Sequence, residues 1–198
     1  MQKKYLNEKL PEGWKKQIAA GDHKVFRQFF DLFADRLTNF AFSITQNRTA
    51  SIEIMDEVFV QIWKNRTSLT EIDNITTYLY KAIKNTALNY LSKKAKEKIF
   101  DAFDNINIDI SFYENPEQNL ISSEILKRIN DAVDALPPKC KMIFKLVRED
   151  GLKYRQVAEI LNISVNTVDA QMVIAVKKIS EKVKIHLDTL PPKSSLKK

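Results

Sequence analysis

A chain of 198 residues is long enough for one medium domain or two small ones, and three glycines with six prolines leave little material for β-turns, so the first expectation is an all-α fold. The single cysteine, Cys140, excludes an internal disulfide framework; no apolar run reaches the roughly 20 residues a membrane helix needs, and the N-terminus "MQKKYLNEKLPEGWKKQ" lacks the apolar core of a signal peptide. The chain therefore reads as soluble and cytoplasmic, and its net charge of +7 favours a polyanionic partner.

That charge is unevenly spread. Residues 1–100 carry 17 Lys and Arg against 11 Asp and Glu, and residues 121–198 carry 15 against 9. Between them "DAFDNINIDISFYENPEQNL" has five acids and no base. A charged flexible linker is one explanation of this middle block, although solubility alone explains an acidic tether between two basic lobes poorly.

Residues 1–20 are taken as an N-terminal tail. The first periodic stretch is Phe26, Phe29, Phe30, Phe33, Leu37, Phe40, Ala41 and Ile44, the rhythm of an amphipathic helix with an aromatic inner face. Asp22 stands where its N-cap would be. A second helix is expected from about Ser51 to Arg66, with Ile52, Met55, Phe59 and Ile62 inward. A third is expected from about Asn74 to Lys98, with Leu79, Ile83, Thr86, Ala87, Tyr90 and Leu91 inward. Three helices of this length can close a small core, which places a first domain at 21–98.

The acidic block shows no sustained period and reads as an extended linker over 99–119. Helical patterning resumes with Leu120, Ile121, Ile125, Leu126, Ile129 and Val133, and "LPPK" (136–139) ends that helix and opens the next. A short helix then runs to "EDG", followed by two more at about 154–161 and 165–186. They complete a second domain at 120–187, with a disordered tail at 188–198.

The last two helices, "YRQVAEILNISVNTVDAQM" (154–172), have the layout of a helix-turn-helix. Val157, Ala158 and Leu161 are expected inward with Val168 and Met172, and Ala158 is small enough for a close helix crossing. Asn162 suits a left-handed turn position, and Ser164 suits the N-cap of the second helix. A plain helical hairpin is the alternative. On the outer face stand Asn166, Thr167, Asp169, Ala170 and Gln171. Amides can bond adenine edges, a carboxylate can accept from cytosine, and Thr or Ala can touch a thymine methyl. Asp169 weakens the phosphate attraction, leaving it to Lys153, Arg155, Lys177 and Lys178.

The third helix of the first domain has a polar stripe of Tyr78, Lys81, Asn85, Asn89, Ser92 and Lys96. Lysine for phosphate, tyrosine for stacking and asparagine for base edges suit a single-stranded nucleic-acid groove. A solvated helix face is the competing explanation. Nothing in the sequence marks a catalytic site, metal site or cofactor site. His23 and His186 lie in different domains, Cys140 has no nearby His, and no carboxylate pair or Gly-rich phosphate loop stands out.

Together these stretches resemble the extracytoplasmic-function group of the sigma-70 family of bacterial RNA polymerase sigma factors. "VFRQFFDLFADRLTNFAFSITQNRTASIEIMDEVFVQIWKNR" is similar to the first part of the family's promoter-opening domain (region 2). "TYLYKAIKNTALNYL" is similar to its melting and minus-ten helix, and "ALPPKCKMIFKLVREDGLKYRQVAEILNISVNTVDAQM" to its minus-thirty-five domain (region 4). The resemblance covers about residues 22–187. It implies an alternative sigma factor that binds core RNA polymerase and promoter DNA and takes no small-molecule substrate.

Carried over by position, Asp56, Glu57, Val60, Gln61 and Lys64 would meet the polymerase, while Phe59 and Trp63 anchor that helix to the core. The loop from Ser68 to Asn74 would hold a flipped minus-ten base, with Tyr78, Lys81, Asn85 and Asn89 on the separated strand. Arg155, Asn166, Thr167, Asp169, Ala170, Gln171, Lys177 and Lys178 would meet the minus-thirty-five duplex. Asp101, Asp104, Asp109 and Glu114 would mimic nucleic acid in the polymerase cleft. The resemblance also implies an anti-sigma partner, often membrane-bound in this family. The chain departs from the family where Asp169 replaces a common basic residue and where Ile174 and Val176 stand near usual arginines. A helix-turn-helix regulator with an N-terminal sensor domain is the alternative function.

Overall fold

The computed structural model describes residues 10–97 and 120–187, and every regular element among them is helical. In chain order these are α1 (Trp14–Ala19), α2 (His23–Thr45), α3 (Arg48–Lys64), a 3-10 segment (Arg66–Glu71), α4 (Ile75–Glu97), α5 (Leu120–Asp134), α6 (Pro138–Arg148), α7 (Tyr154–Leu161) and α8 (Val165–Leu187). Among the described residues no helix is long and apolar enough to cross a membrane. The expected linker over 99–119 and the tail over 188–198 lie outside the described residues, as do residues 1–9 and the Lys96 side chain.

Helix α2 begins as its sequence predicts: the Asp22 carboxylate accepts from the Lys24 and Val25 amides at 2.9 and 3.1 Å, satisfying donors that the first turn leaves free. It ends at Gln46 in a left-handed conformation (φ 54°), and Asn47 caps α3 by accepting from the Ala50 amide. The aromatic face of α2 meets α3 at Phe59: Phe30 lies edge-on to it at 4.9 Å and Phe29 tilted at 5.6 Å, centroid to centroid. Such pairs contribute about 0.5–1.5 kcal/mol each beyond the burial of their area.

Helix α3 differs from expectation in phase. It starts at Arg48 and buries Ile54, Met55, Val58, Phe59 and Ile62, whereas Ile52 is exposed. Both α2 and α4 pack on α3, so its buried arc is wider than a single stripe and rotated away from Ile52. The stretch before Gly21, read as a tail, also folds back. Leu10, Trp14 and Ile18 are buried, and the Trp14 ring stacks on Phe29 at 5.1 Å.

In the C-terminal half Pro137 precedes α6, and Pro138 occupies its first turn, where the missing N–H removes no helical bond. Lys141 is buried at 2 % exposure and paired with Asp134 at 2.8 Å. Val133, Leu136, Cys140 and Ala175 form a small cluster of their own, but most inner residues of α6, α7 and α8 do not close a separate core. Ile143, Leu146, Val157, Ile160, Val168 and Met172 belong to one apolar cluster that continues into α2, α3 and α4. The two halves are packed together, chiefly through α4 and α7.

Candidate functional site

The turn between α7 and α8 has the chemistry a helix-turn-helix needs. Asn162 takes φ 55°, where asparagine is the best-tolerated residue after glycine, and the Ile163 amide returns to the Ala158 carbonyl at 3.0 Å. The Ser164 hydroxyl accepts from the Thr167 amide at 3.0 Å and caps α8. Val157, Ala158, Val168 and Met172 are buried as expected; Leu161 is only half-buried, and Ile160 fills the inner position instead.

The outer side of this unit presents Arg155, Asn166, Asp169, Ala170, Lys177 and Lys178 to solvent. Thr167 and Gln171 are half-buried, Thr167 sharing a 2.8 Å hydroxyl contact with Ser164. The face continues with Val165, Val173, Ile174 and Val176, all exposed, of which Val173 is the most open at 62 %. Polar and charged side chains on this face therefore alternate with exposed apolar ones.

On α4 the Asn74 side chain accepts from the Thr77 amide at 3.1 Å, so Asn74 is the cap of the helix. Tyr78, Asn85 and Asn89 are exposed along one face, with half-buried Lys81 at its edge. This is the polar stripe the sequence predicts. On α3 the side chains of Asp56, Glu57, Val60, Gln61 and Lys64 are all exposed, Val60 by 50 %, above the buried anchor Phe59 and the partly buried Trp63.

Sequence reasoning did not find the seam between α4 and α7. Gln156 is buried: its Oε1 accepts from the Lys153 amide at 3.0 Å, and its Nε2 donates to the Thr77 hydroxyl at 3.2 Å and to Asn74 Oδ1 at 3.4 Å. One turn further on, the Lys81 ammonium meets the Glu159 carboxylate at 2.8 Å. Tyr80 is buried on the same seam, its hydroxyl facing Asp150 without a hydrogen bond of good geometry. Burial pushes the Asp150 carboxyl up to about 6, opposed by the Tyr80 hydroxyl and the Arg36 guanidinium. Burial, reinforced by the Asp150 charge, likewise raises the Tyr80 hydroxyl. Apart from the Lys153 amide, none of these partners is near its mate in sequence, so no local pattern points to the contacts across the seam.

The residues that could suggest catalysis are otherwise engaged. The His23 ring packs at a tilt against Trp63, 4.4 Å between centroids, and the Cys140 thiol is buried, raised by that burial, and donates to the Gln171 carbonyl at 3.3 Å. Among the described residues no three His, Cys, Asp or Glu side chains are grouped to hold a metal ion.

Comparison with known proteins agrees with this geometry. Residues 29–97 match the family model described as sigma-70 region 2, and residues 126–179 match sigma-70, region 4; together they span more than half of the chain. The chain is 25% identical over 164 residues to the ECF RNA polymerase sigma factor SigW of Bacillus subtilis (strain 168), covering 79% of this chain and 88% of that relative. It is 26% identical over 175 residues to the ECF RNA polymerase sigma-E factor of Haemophilus influenzae, covering 84% and 92%. The sigma-E factor of Escherichia coli (strain K12) is also 26% identical, over 177 residues.

Two solved structures share the fold. CnrH, in complex with the cytosolic domain of CnrY, aligns with a TM-score of 0.53 at 17% identity, over 87% of this chain and 96% of that one. The sigma factor RpoE of Bartonella quintana, in complex with the anti-sigma factor NepR, aligns with a TM-score of 0.57 at 17% identity, over 81% and 97%. With regions 2 and 4 matched in order along one chain, the protein belongs to the sigma-70 family of RNA polymerase sigma factors, as an alternative sigma factor of its extracytoplasmic-function group.

Proposed function

We propose that this sigma factor divides its work along the chain as follows: residues 21–98 bind the polymerase and the minus-ten element, residues 120–187 bind the minus-thirty-five element, and residues 99–119 link them. The observation that carries this reading is the pair of polar faces on α4 and α8, each mounted on a helix whose other side is core. Tyr78, Lys81, Asn85 and Asn89 hold the separated strand, while Asn74 closes the loop that takes a flipped base. Unstacking a base requires a few kcal/mol, which stacking on Tyr78 and phosphate contact from Lys81 offset.

On α8, Asn166, Thr167, Asp169, Ala170 and Gln171 read base edges, with Arg155, Lys177 and Lys178 on phosphates. On α3 the exposed Val60, ringed by Asp56, Glu57, Gln61 and Lys64, docks on the polymerase. Its openness supports that role, because a half-exposed valine amid charges gains from being covered. The protein acts as an initiation factor rather than an enzyme, in the cytoplasm. It is held in check by an anti-sigma partner, as CnrH and the Bartonella RpoE are found bound to CnrY and NepR.

Run-off transcription tests the reading. Core polymerase, the purified chain and a pool of genomic fragments from the source should give specific transcripts that disappear in the Tyr78→Ala, Lys81→Ala double variant. If the chain gives no transcripts and does not co-elute with core polymerase, the assignment of these residues fails.

A further inference from the structure

The short helix α1 has no role in that division of labour, yet it is built into the minus-ten side of the molecule. Six residues do not hold a helix by themselves, and its cap, Gly13, is left-handed (φ 66°) with no side-chain bond to the first turn. What holds α1 is tertiary: Leu10, Trp14 and Ile18 are buried, with Trp14 stacked on Phe29. It packs more extensively on the 3-10 segment Arg66–Glu71 than on its neighbour α2.

That segment has little to hold it in place. A 3-10 turn has poorer hydrogen-bond geometry than an α-helix, and Leu69 is its one buried side chain. Its start is tied by Arg66, whose guanidinium donates to the Trp63 carbonyl at 3.2 Å and lies 4.9 Å over the Trp63 ring. Its end is tied from α1: the Lys15 ammonium donates to the Ile72 carbonyl, a charge-assisted bond in half-buried surroundings. Ile72 stands two residues before Asn74, the cap of α4. Between these two ties the exposed Thr70 shares with Glu12, Gly13, Trp14, Lys15 and Lys16 the walls of an open hollow of about 560 Å3.

We propose that Lys15 is a positioning residue for minus-ten readout: through the Ile72 carbonyl it fixes the exit of the 3-10 segment against the start of α4, and so sets the shape of the pocket for the flipped base. This rests on the reading above that residues 68–74 hold that base. A base pocket discriminates only as well as its walls are held, and a displacement of about 1 Å is enough to blunt it. Lys15 touches neither polymerase nor the reading faces of α4 and α8 in this account, so its effect is confined to one feature of the promoter.

The test uses full-length chain with core polymerase on a pool of genomic promoter fragments, followed by a pool randomised across the minus-ten element, with transcripts sequenced. Base preference at each position is compared for wild type, Lys15→Ala, Lys15→Arg, Thr70→Ala and Asn74→Ala, alongside core-polymerase affinity and thermal melting. Lys15→Ala should flatten the preference at one minus-ten position by about tenfold, the size of one such hydrogen bond. Minus-thirty-five preference and core affinity should be unchanged, melting temperature should fall by no more than a few degrees, and Lys15→Arg should restore the preference. The inference is overturned if Lys15→Ala leaves every preference intact while Thr70→Ala or Asn74→Ala shifts one. It is equally overturned if Lys15→Ala lowers all transcription uniformly with its melting temperature, or if Lys15→Arg fails to restore. If the Thr70 and Asn74 variants also change nothing, the flipped-base reading itself fails and takes this inference with it.

Discussion

Lys81 and Glu159, 78 residues apart in sequence, meet at 2.8 Å across the seam between α4 and α7, the first helix of the helix-turn-helix. A side chain proposed to hold promoter phosphate is thus occupied by an internal carboxylate when the two halves are closed. Both partners keep much of their surface in water, 41% and 55%, so the pair itself adds little, about 0–1 kcal/mol. The buried Gln156 and the shared apolar cluster contribute more of the closure.

Glu159→Gln should therefore leave the fold intact and release Lys81. Binding of single-stranded minus-ten DNA by the free chain should tighten, by no more than about fivefold given the size of exposed pairs. Fluorescence anisotropy at two salt concentrations would measure it. An unchanged affinity at low salt would mean that Lys81 does not meet the strand.

The Asp150 carboxyl makes closure depend on pH. Its ordinary value of 3.8 rises to about 6 in the folded chain, first because it is buried and then because Glu149 lies near, with Tyr80, Arg36 and Lys145 opposing. A group raised on folding stabilises fully below its unfolded value and loses that contribution as pH climbs through the folded one. Wild type should therefore lose on the order of 2 kcal/mol relative to Asp150→Asn between about pH 4 and pH 7, and the two should converge at the acid end. Urea unfolding across that range gives the difference directly; parallel curves would contradict it.

Replacing Asp169 with lysine exchanges an exposed negative charge for a positive one near the start of α8, where no cation stands on the helix before Lys177. Duplex binding should become stronger and more salt-sensitive, its log–log slope steepening by about one to two phosphate contacts. Base preference at the position facing residue 169 should change as well. Salt titrations on matched and scrambled duplexes separate the two effects, and an unchanged slope would place Asp169 away from the DNA.

The turn of the helix-turn-helix can be tested by stability alone. Ser164→Ala removes the acceptor of the Thr167 amide and should destabilise the chain by about 1 kcal/mol. Asn162→Gly should be close to neutral, because glycine adopts φ 55° freely, while Asn162→Ala should destabilise by about 1 kcal/mol. Urea midpoints rank the three. Equal effects of Gly and Ala at 162 would argue that the amide, rather than the backbone angle, is what the turn requires.

What could be read in advance follows the range of the forces involved. Asp22, Asn162, Ser164 and Pro138 act within a turn of themselves, and the structure has each where its chemistry suggests. A long apolar period located α2, the helix-turn-helix layout located α8, and the polar stripe on α4 follows from helical geometry. The phase of α3 did not, because two neighbours rather than one decide which arc is covered, and that left Ile52 outside. Helix α1 is too short to show a period; Trp14 and Ile18, four apart between Gly13 and Gly21, were the available signal. The seam built by Gln156, Tyr80 and Asp150 joins residues about 70 to 80 positions apart. A single sequence holds no trace of such pairings until the chain is folded.

The valines along α8 bear on how the protein finds its promoters. On the role proposed for α8, a helix with Val165, Val173 and Val176 in the open, an acid among them and its exposed cations held back to Lys177 and Lys178 grips a random stretch of duplex weakly. A short dwell time on the wrong sequence follows from that weak grip, and it leaves one-dimensional search to the polymerase. Commitment then comes only where base edges and methyl groups fit, so the scarcity of arginine on this helix sharpens the contrast between passing over DNA and stopping on it.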